Sequence, residues 1–97
     1  MNGKQRAYLR KMAHDLDPIF QVGKGGITPE LTISVGEALE KRELIKLTIL
    51  KNCMEDVKEV ANTISERTHS DVIQVIGRRF VLYRESKDNK EIVLPKF

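Results

Sequence analysis

The sequence has one cysteine, few aromatic residues and no long apolar run. Because Cys53 is the single cysteine, the chain cannot form an internal disulfide, which is typical of proteins from a reducing compartment. No apolar stretch approaches the roughly 20 residues that a membrane span needs, and no apolar segment follows the first basic residues as in a signal peptide. We therefore expect a soluble, cytoplasmic protein that does not enter a membrane.

The residue types that carry most chemistry are equally sparse. Aromatic residues make up 5% of the chain, which argues against a binding surface dominated by stacked rings. The sequence has no second cysteine, and neither His14 nor His69 has a partner at the spacing of zinc ligands, so no zinc site is expected. No histidine lies near Cys53 in the sequence, and nothing indicates a nucleophile–base pair. The sequence predicts no catalytic residue, no metal and no cofactor, so we expect that the protein is not an enzyme.

What is present suits one small domain. A chain of 97 residues has room for one sheet layer packed against two or three helices. Hydrophobic residues make up 40% and charged residues 32% of the chain, so we expect a packed core beneath a well-solvated surface. We interpret residues 1–97 as a single domain in which residues 85–97 form a partly flexible tail.

The positive charge is concentrated near the N-terminus. Residues 1–26 contain five basic and two acidic residues, whereas residues 27–97 contain twelve of each, so the formal net charge of +3 lies in the first quarter of the chain. A localised basic field attracts an anionic partner such as nucleic acid. An ordinary solvated helix face can have the same composition, so charge alone leaves both interpretations open.

Helical and strand patterns alternate along the chain. Apolar residues spaced three and four apart predict helices over 4–16, 29–42 and 57–66. Residues typical of strands, bounded by turn signals, predict strands over 18–22, 44–50, 72–76 and 80–83, with a possible edge segment at 92–94. The order α-β-α-β-α-β-β indicates an α/β fold with a four-stranded mixed sheet. Its first two strands would be parallel across the second helix, and an antiparallel hairpin would turn at Gly77.

The first predicted helix is amphipathic. Its apolar residues at spacings of three and four are Tyr8, Leu9, Met12, Ala13 and Leu16. Leu9, Met12 and Leu16 would form the buried stripe, and the basic residues fall away from that stripe. The predicted basic outer face consists of Lys4, Arg6, Arg10 and Lys11.

A run of glycine and lysine, Gly23-Lys24-Gly25-Gly26, joins the first strand to the second helix. Glycine lets the backbone approach a partner closely, and Thr28 is a good N-cap for the helix that follows. Free N–H groups at a helix N-terminus favour phosphate, and Lys24 adds a positive charge. KH-type modules clamp single-stranded nucleic acid with such a G-x-x-G loop. A glycine-rich turn is also a common tight connection, so this motif is weak evidence by itself.

Four blocks of sequence strengthen this interpretation: GKGGIT at 23–28, RELIKL at 42–47, QVIGR at 74–78 and VLYR at 81–84. Together they resemble the CRM domain, and the chain from about Lys4 to about Leu94 resembles its stand-alone bacterial version, the YhbY family. The resemblance implies an RNA-binding domain with a fold similar to the C-terminal domain of the third bacterial translation initiation factor. It also implies association with precursors of the large ribosomal subunit, so that ribosomal RNA would be the partner.

The resemblance also carries over to particular residues. The family's G-x-x-G loop falls on residues 23–26, where the second variable position is itself a glycine, Gly25, which should make the loop more flexible. Arg78 and Arg79 at the hairpin are further candidates, although exposed turns are commonly charged. The predicted RNA-binding residues are Lys4, Arg6, Arg10, Lys11, Gly23, Lys24, Gly25, Gly26, Thr28, Arg78 and Arg79.

Two other functions stay open at this point. The basic helix could dock an acidic protein partner, or the glycine loop could belong to a small nucleotide-binding enzyme. The second alternative is the weaker one, because the loop lacks the Gly-Lys-Ser/Thr ending of a P-loop and Thr28 occupies the sixth position of the dinucleotide fingerprint. The sequence does not indicate an oligomeric state, and we take the protein to be a monomer.

Overall fold

The computed structural model describes residues 1–96, in which three helices and four strands alternate. Their bounds are α1 (Gly3–Ala13), β1 (Phe20–Val22), α2 (Pro29–Arg42), β2 (Leu44–Ile49), α3 (Val57–Thr68), β3 (Asp71–Ile76) and β4 (Arg79–Tyr83). The strands form one sheet in the order β1-β2-β4-β3. The β1–β2 pair is parallel and the other two pairs are antiparallel. The predicted element order and mixed four-stranded sheet are confirmed.

The main core lies between the sheet and the helices α2 and α3. Alternate residues of a strand point to opposite faces, so β2 contributes Ile45, Leu47 and Ile49 to this side. The other buried members of this core are Val22, Val35, Leu39, Cys53, Val60, Ala61, Ile64, Phe80 and Leu82. The opposite face of the sheet, which we call the second face, is left for α1.

Helix α1 covers only part of the second face. Leu9 and Ala13 pack in a second cluster that includes Leu44 of β2 and Tyr83 of β4. These two strand residues pair with each other, so the covered part lies where β2 begins and β4 ends. Towards the other end of β2, Thr48 on the same face is only half-buried. Half of the second face is therefore open to solvent.

The buried side of α1 differs from the predicted stripe. Leu9 and Ala13 are fully buried, whereas Met12 and Leu16 each keep more than a third of their surface exposed. The predicted stripe is confirmed at Leu9 and wrong at Met12 and Leu16. Leu16 lies beyond the helix, which ends at Ala13 and not at residue 16 as predicted. Ala13 rather than Met12 packs with Leu9 against the sheet. Arg6 lies on this same side of α1, so it also faces the sheet.

The tail after β4 contains no strand up to residue 96, so the edge segment considered at 92–94 is not formed. Ile92 and Leu94 instead pack against the cluster beneath α1. Whether residues 85–97 are partly flexible stays a prediction. Among the three helices found in residues 1–96, none combines the length and apolar character needed to cross a membrane.

The carboxylate of Glu43 holds this tail against the fold. Glu43 follows α2 with a φ of 66°, and its side chain is buried. It accepts hydrogen bonds of 2.8 Å from the backbone N–H groups of Ser86, Glu91 and Ile92. Burial raises the pKa of the Glu43 carboxyl, but the N–H donors outweigh that effect and keep the pKa below its usual range. A buried, ionised group therefore ties the tail to the end of α2.

We predict that Glu43→Gln lowers the free energy of unfolding at pH 7 by about 2–4 kcal/mol, because an amide oxygen replaces a charged acceptor shared by three N–H donors. Since the folded-state pKa is lowered, the stabilisation is complete above the pKa of an unfolded glutamate, about 4.3. It is lost as the pH falls through the lower folded-state pKa. Denaturant unfolding at pH 7 and pH 3 measures this, and the difference between wild type and variant should shrink at pH 3.

The matched control for this experiment is Glu85→Gln. Glu85 forms an ion pair of 2.5 Å with Lys90 in which both side chains are more than half exposed, and exposed pairs contribute little to stability. This variant should unfold almost like the wild type at both pH values. A loss as large as that of Glu43→Gln, or a Glu43→Gln effect that does not depend on pH, would contradict the proposed role of Glu43.

Candidate nucleic-acid interface

Residues 23–26, which we call the glycine loop, form a tight turn at one end of the sheet. The N–H of Gly26 donates to the carbonyl of Gly23 at 2.9 Å. Gly26 has a φ of 67°, in the left-handed region that favours glycine, so the turn itself favours this residue. A Cβ at this position would lie 2.6 Å from Oε2 of Glu55, an exposed side chain that would have to move aside. Gly25 is different, because its φ lies outside the left-handed region and a Cβ there would meet no atom within 4 Å. The backbone at Gly25 is therefore open to a partner.

The start of α2 offers fewer free donors than predicted. The hydroxyl oxygen of Thr28 accepts a hydrogen bond of 3.1 Å from the N–H of Leu31, so Thr28 acts as the helix cap. The first three residues of α2 are Pro29, Glu30 and Leu31. Pro29 has no N–H and the N–H of Leu31 is bound to Thr28, so among these three only the N–H of Glu30 has no partner within residues 1–96. Glu30 is itself acidic. Lys24 and the loop backbone are thus better placed to hold phosphate than the end of α2.

Two of the predicted arginine contacts to RNA, Arg6 and Arg78, are engaged in the fold. The Arg6 guanidinium donates to the carbonyl of Val72. Arg6 was predicted on the outer face of α1, and this prediction is wrong. Arg78 donates from Nε to the carbonyl of Ile49 at 2.9 Å and from Nη2 to that of Leu50 at 2.5 Å. These bonds tie α1 to β3 and tie the β3–β4 hairpin to the end of β2.

Four other predicted cations, Arg10, Lys11, Lys24 and Arg79, are exposed. None of their side chains makes a hydrogen bond or an ion pair with another part of the chain in residues 1–96. Lys4 is also exposed, in the first turn of α1, but it takes part in an interaction within the protein. The structure therefore separates cations that serve the fold from cations that are available to a ligand.

The open half of the second face forms a groove with a basic side. Its cavity of about 620 Å³ is lined by Arg10, Lys11, His14 and Asp15 of the α1 side and by Lys46, Gln74 and Ile76 of the sheet. A smaller depression of about 160 Å³ continues past Lys46 and Gln74 to Arg79. We call these two connected cavities the open groove. Asp15 is the one carboxylate that lines it, so the open groove carries a net positive charge.

The open groove and the glycine loop lie at the same end of the sheet. Gln21 of β1 pairs with Thr48 of β2, Thr48 pairs with Arg79 of β4, and Arg79 pairs with Ile76 of β3. Directly paired residues share a face of the sheet, so these four side chains form one row across the second face. Gln21 precedes Gly23 by two residues. This row connects the glycine loop with the open groove.

Lys46, Gln74 and Ile76 were not among the predicted site residues. A signal for Lys46 is present in β2, where Lys46 and Thr48 alternate with Ile45, Leu47 and Ile49, which places the two polar residues on one face. The alternation does not tell which part of that face α1 covers. The open groove therefore becomes visible only when the position of α1 is known.

The residue types that hold metals or act as nucleophiles are not gathered near the glycine loop. Cys53 is buried and its thiol is free. His69 ends α3 in the left-handed conformation, while His14 follows α1 at the open groove. Within residues 1–96, no three His, Cys, Asp or Glu side chains lie close enough together to hold a metal ion.

Comparisons with known proteins match nearly the whole chain. The CRS1 / YhbY (CRM) domain matches residues 1–84. The Bacillus subtilis protein named "Probable RNA-binding protein YqeI" is 50% identical over 95 residues, which cover 98% of this chain and 99% of that protein. A Haemophilus influenzae protein named "RNA-binding protein" is 33% identical over 96 residues, which cover 99% of this chain and 96% of that protein.

A solved structure is similar in both sequence and fold. The solution structure of a Staphylococcus aureus protein, described as a candidate RNA-binding protein, has a TM-score of 0.81 and 55% sequence identity. The match covers 98% of this chain and 99% of that one. The fold described above is therefore shared over the full length of the relative.

We predict that Arg78→Ala lowers the free energy of unfolding by about 1–3 kcal/mol, because backbone carbonyls at the end of β2 lose a charged donor. Its neighbour Arg79 makes no such bond within residues 1–96, so Arg79→Ala should leave stability almost unchanged. Chemical denaturation of the two variants gives the comparison. If Arg79→Ala is the more destabilised of the two, the separation into structural and available cations is wrong.

Proposed function

Since this chain belongs to the CRS1 / YhbY (CRM) domain family, we propose that it binds structured RNA through the glycine loop and the available cations around it. The observation that carries the proposal is the placement of Lys24, Arg10, Lys11 and Arg79 at the glycine loop and the open groove without internal partners in residues 1–96. The names of the relatives that match over nearly their full length support RNA as the ligand.

The glycine loop holds the RNA backbone. Gly25 has no side chain, and the space where a Cβ would lie is empty to 4 Å, so a sugar-phosphate chain can lie against the main chain there. Lys24 stands next to this position and supplies a positive charge for a phosphate. Phosphate contacts position a protein on RNA without reading sequence, so selectivity arises mainly from the shape of the RNA.

We further propose that the RNA is ribosomal RNA in precursors of the large subunit, and that the protein acts in the cytoplasm as a ribosome assembly factor. This target is supported by the resemblance of the blocks at 23–28 and 42–47 to the stand-alone bacterial YhbY family. The full-length match to bacterial relatives of the same size is consistent with it. No step of this role requires a catalytic residue or a cofactor, because binding alone can order an RNA segment.

Gly25→Ala should leave thermal unfolding unchanged but weaken binding to a large-subunit ribosomal RNA fragment, because a methyl group keeps the RNA backbone away from the main chain. We expect Lys24→Ala to reduce the affinity about five- to tenfold, which corresponds to about 1–1.4 kcal/mol. Filter binding at increasing salt gives both values. If about four phosphates are neutralised, the wild-type log–log slope on single-stranded RNA is about −3, and Lys24→Ala reduces its magnitude by about 0.7.

Arg67→Ala is the control for charge alone. Arg67 is an exposed residue in the last turn of α3, at the end of that helix away from the glycine loop and on the side of the sheet away from the open groove, so its loss should change RNA affinity little. A salt slope near zero for the wild type, or equal losses for Arg67→Ala and Lys24→Ala, would show that the glycine loop is not the binding surface.

The ribosomal target is tested separately by crosslinking the protein in cells and sequencing the attached RNA. We expect strong enrichment of one or a few segments of large-subunit ribosomal RNA, and a marked loss of that enrichment for Lys24→Ala. Crosslinks spread evenly over messenger and transfer RNA would reject the ribosomal target while leaving RNA binding intact.

A further inference from the structure

The floor of the open groove combines an apolar and a polar side chain of β3. Ile76 is 63% exposed, which makes it the most exposed apolar residue of the four strands. Gln74, two residues earlier on the same face, is half-buried and lines both cavities of the open groove. An apolar surface beside an amide is suited to a flat ligand that has one polar edge.

The amide of Gln74 is available for such a ligand. It offers two N–H donors and a carbonyl acceptor, and it makes no hydrogen bond with any other group in residues 1–96. Neighbouring donors and acceptors on an amide match the edge of a nucleobase, which is why glutamine and asparagine recur in base recognition. The amide of Gln74 therefore gives the open groove donors and an acceptor that a base can take over from water.

Three cations lie at the sides of the open groove, whereas Lys46 of β2 belongs to its floor. Arg10 and Lys11 belong to the α1 side, and Arg79 lies across the sheet on β4. A base placed on Ile76 would therefore have positive charge on both sides, where the phosphates flanking it can be neutralised. A duplex keeps its bases stacked inside, so only an unpaired nucleotide can enter the groove in this way.

The groove differs from the aromatic platforms of many RNA-binding sheets. Phe20 and Phe80 belong to the core side of the sheet, and Tyr83 is buried beneath α1 and the tail. No phenylalanine or tyrosine side chain is left on the open half of the second face in residues 1–96, and the imidazole of His14 lines the open groove from the α1 side. A base in the groove would lie on the side chain of Ile76, which gives a weaker contact than stacking on a ring.

We infer that the open groove binds one unpaired nucleotide of the RNA, with the base on Ile76 and its polar edge on the amide of Gln74. The inference rests on the proposed function, because the same RNA lies on the glycine loop. The row of side chains from Gln21 to Ile76 joins the two positions. RNA with an unpaired nucleotide near an accessible backbone is consequently preferred over continuous duplex.

The test uses three oligomers of equal length: oligouridine, oligoadenosine and an abasic ribose-phosphate chain. Backbone and side-chain amide resonances of the ¹⁵N-labelled protein are followed during titration with each oligomer. We expect all three to shift resonances of Lys24 and Gly25, and only the two with bases to shift the side-chain amide of Gln74. By fluorescence anisotropy, the oligomers with bases should bind about three- to tenfold more tightly than the abasic one.

Variants distinguish the contribution of the open groove to RNA binding from that of the glycine loop. Gln74→Ala and Ile76→Ala should each reduce the preference for bases towards unity while leaving the affinity for the abasic oligomer unchanged. Ile76→Thr keeps a β-branched side chain in the strand and should act in the same direction if Ile76→Ala folds poorly. Ile33→Ala is the matched control, because Ile33 lies on α2 with 62% exposure and should change neither affinity.

The outcomes distinguish the groove from the proposed function. Equal affinity for abasic and base-containing oligomers, or a Gln74 shift that the abasic oligomer also produces, overturns the inference and leaves binding at the glycine loop intact. If none of the oligomers binds and the ribosomal RNA fragment does not bind either, both the groove and the proposed function are wrong. Loss of the base preference in Gln74→Ala, with Ile33→Ala unaffected, supports the groove.

Discussion

The partial cover that α1 gives to the second face of the sheet determines most of this molecule. A strand of six residues such as β2 is about 20 Å long, whereas a helix with its side chains is only about 10–12 Å wide. A single helix crossing the strands therefore covers about half of the face. The tail, tied down by the buried carboxylate of Glu43, closes the same half at its margin. The other half meets solvent, so it carries polar and basic side chains.

Basic residues have two different roles in this fold. Arg6, Arg78 and Arg84 donate to backbone carbonyls and so satisfy acceptors at the ends of elements, where strand and helix bonds run out. Other cations, among them Arg10 and Arg79, remain without partners in residues 1–96 and face the open groove. The formal net charge of the chain does not distinguish the cations bonded within the fold from those without partners. The surface presented to an anion therefore depends on which guanidinium groups the fold has already engaged.

The element order, the mixed sheet and the turn at Gly77 could be predicted because their signals are local: hydrophobic periodicity, caps and glycine positions. The buried side of α1 could not be predicted, since it is set by contacts with strands far along the chain. Arg6 shows this most clearly, because its partner Val72 is 66 residues away. The glycine loop was recognisable, but the sequence does not show that Gly26 serves the turn while Gly25 faces solvent. The open groove was missed for the same reason as the buried side of α1.

In the binding mode proposed above, the glycine loop and the open groove place different requirements on one RNA, and together they would make a protein with few base contacts selective. The loop accepts any accessible backbone, whereas the groove requires a nucleotide that has left its stack. The row from β1 to β3 spans three interstrand spacings, which is about 14 Å at ordinary strand spacing. A regular duplex can occupy the loop alone, and only an RNA with an unpaired nucleotide at this distance fills both. In this proposal the sheet, by fixing the distance between two weak, sequence-tolerant contacts, would recognise a particular RNA shape.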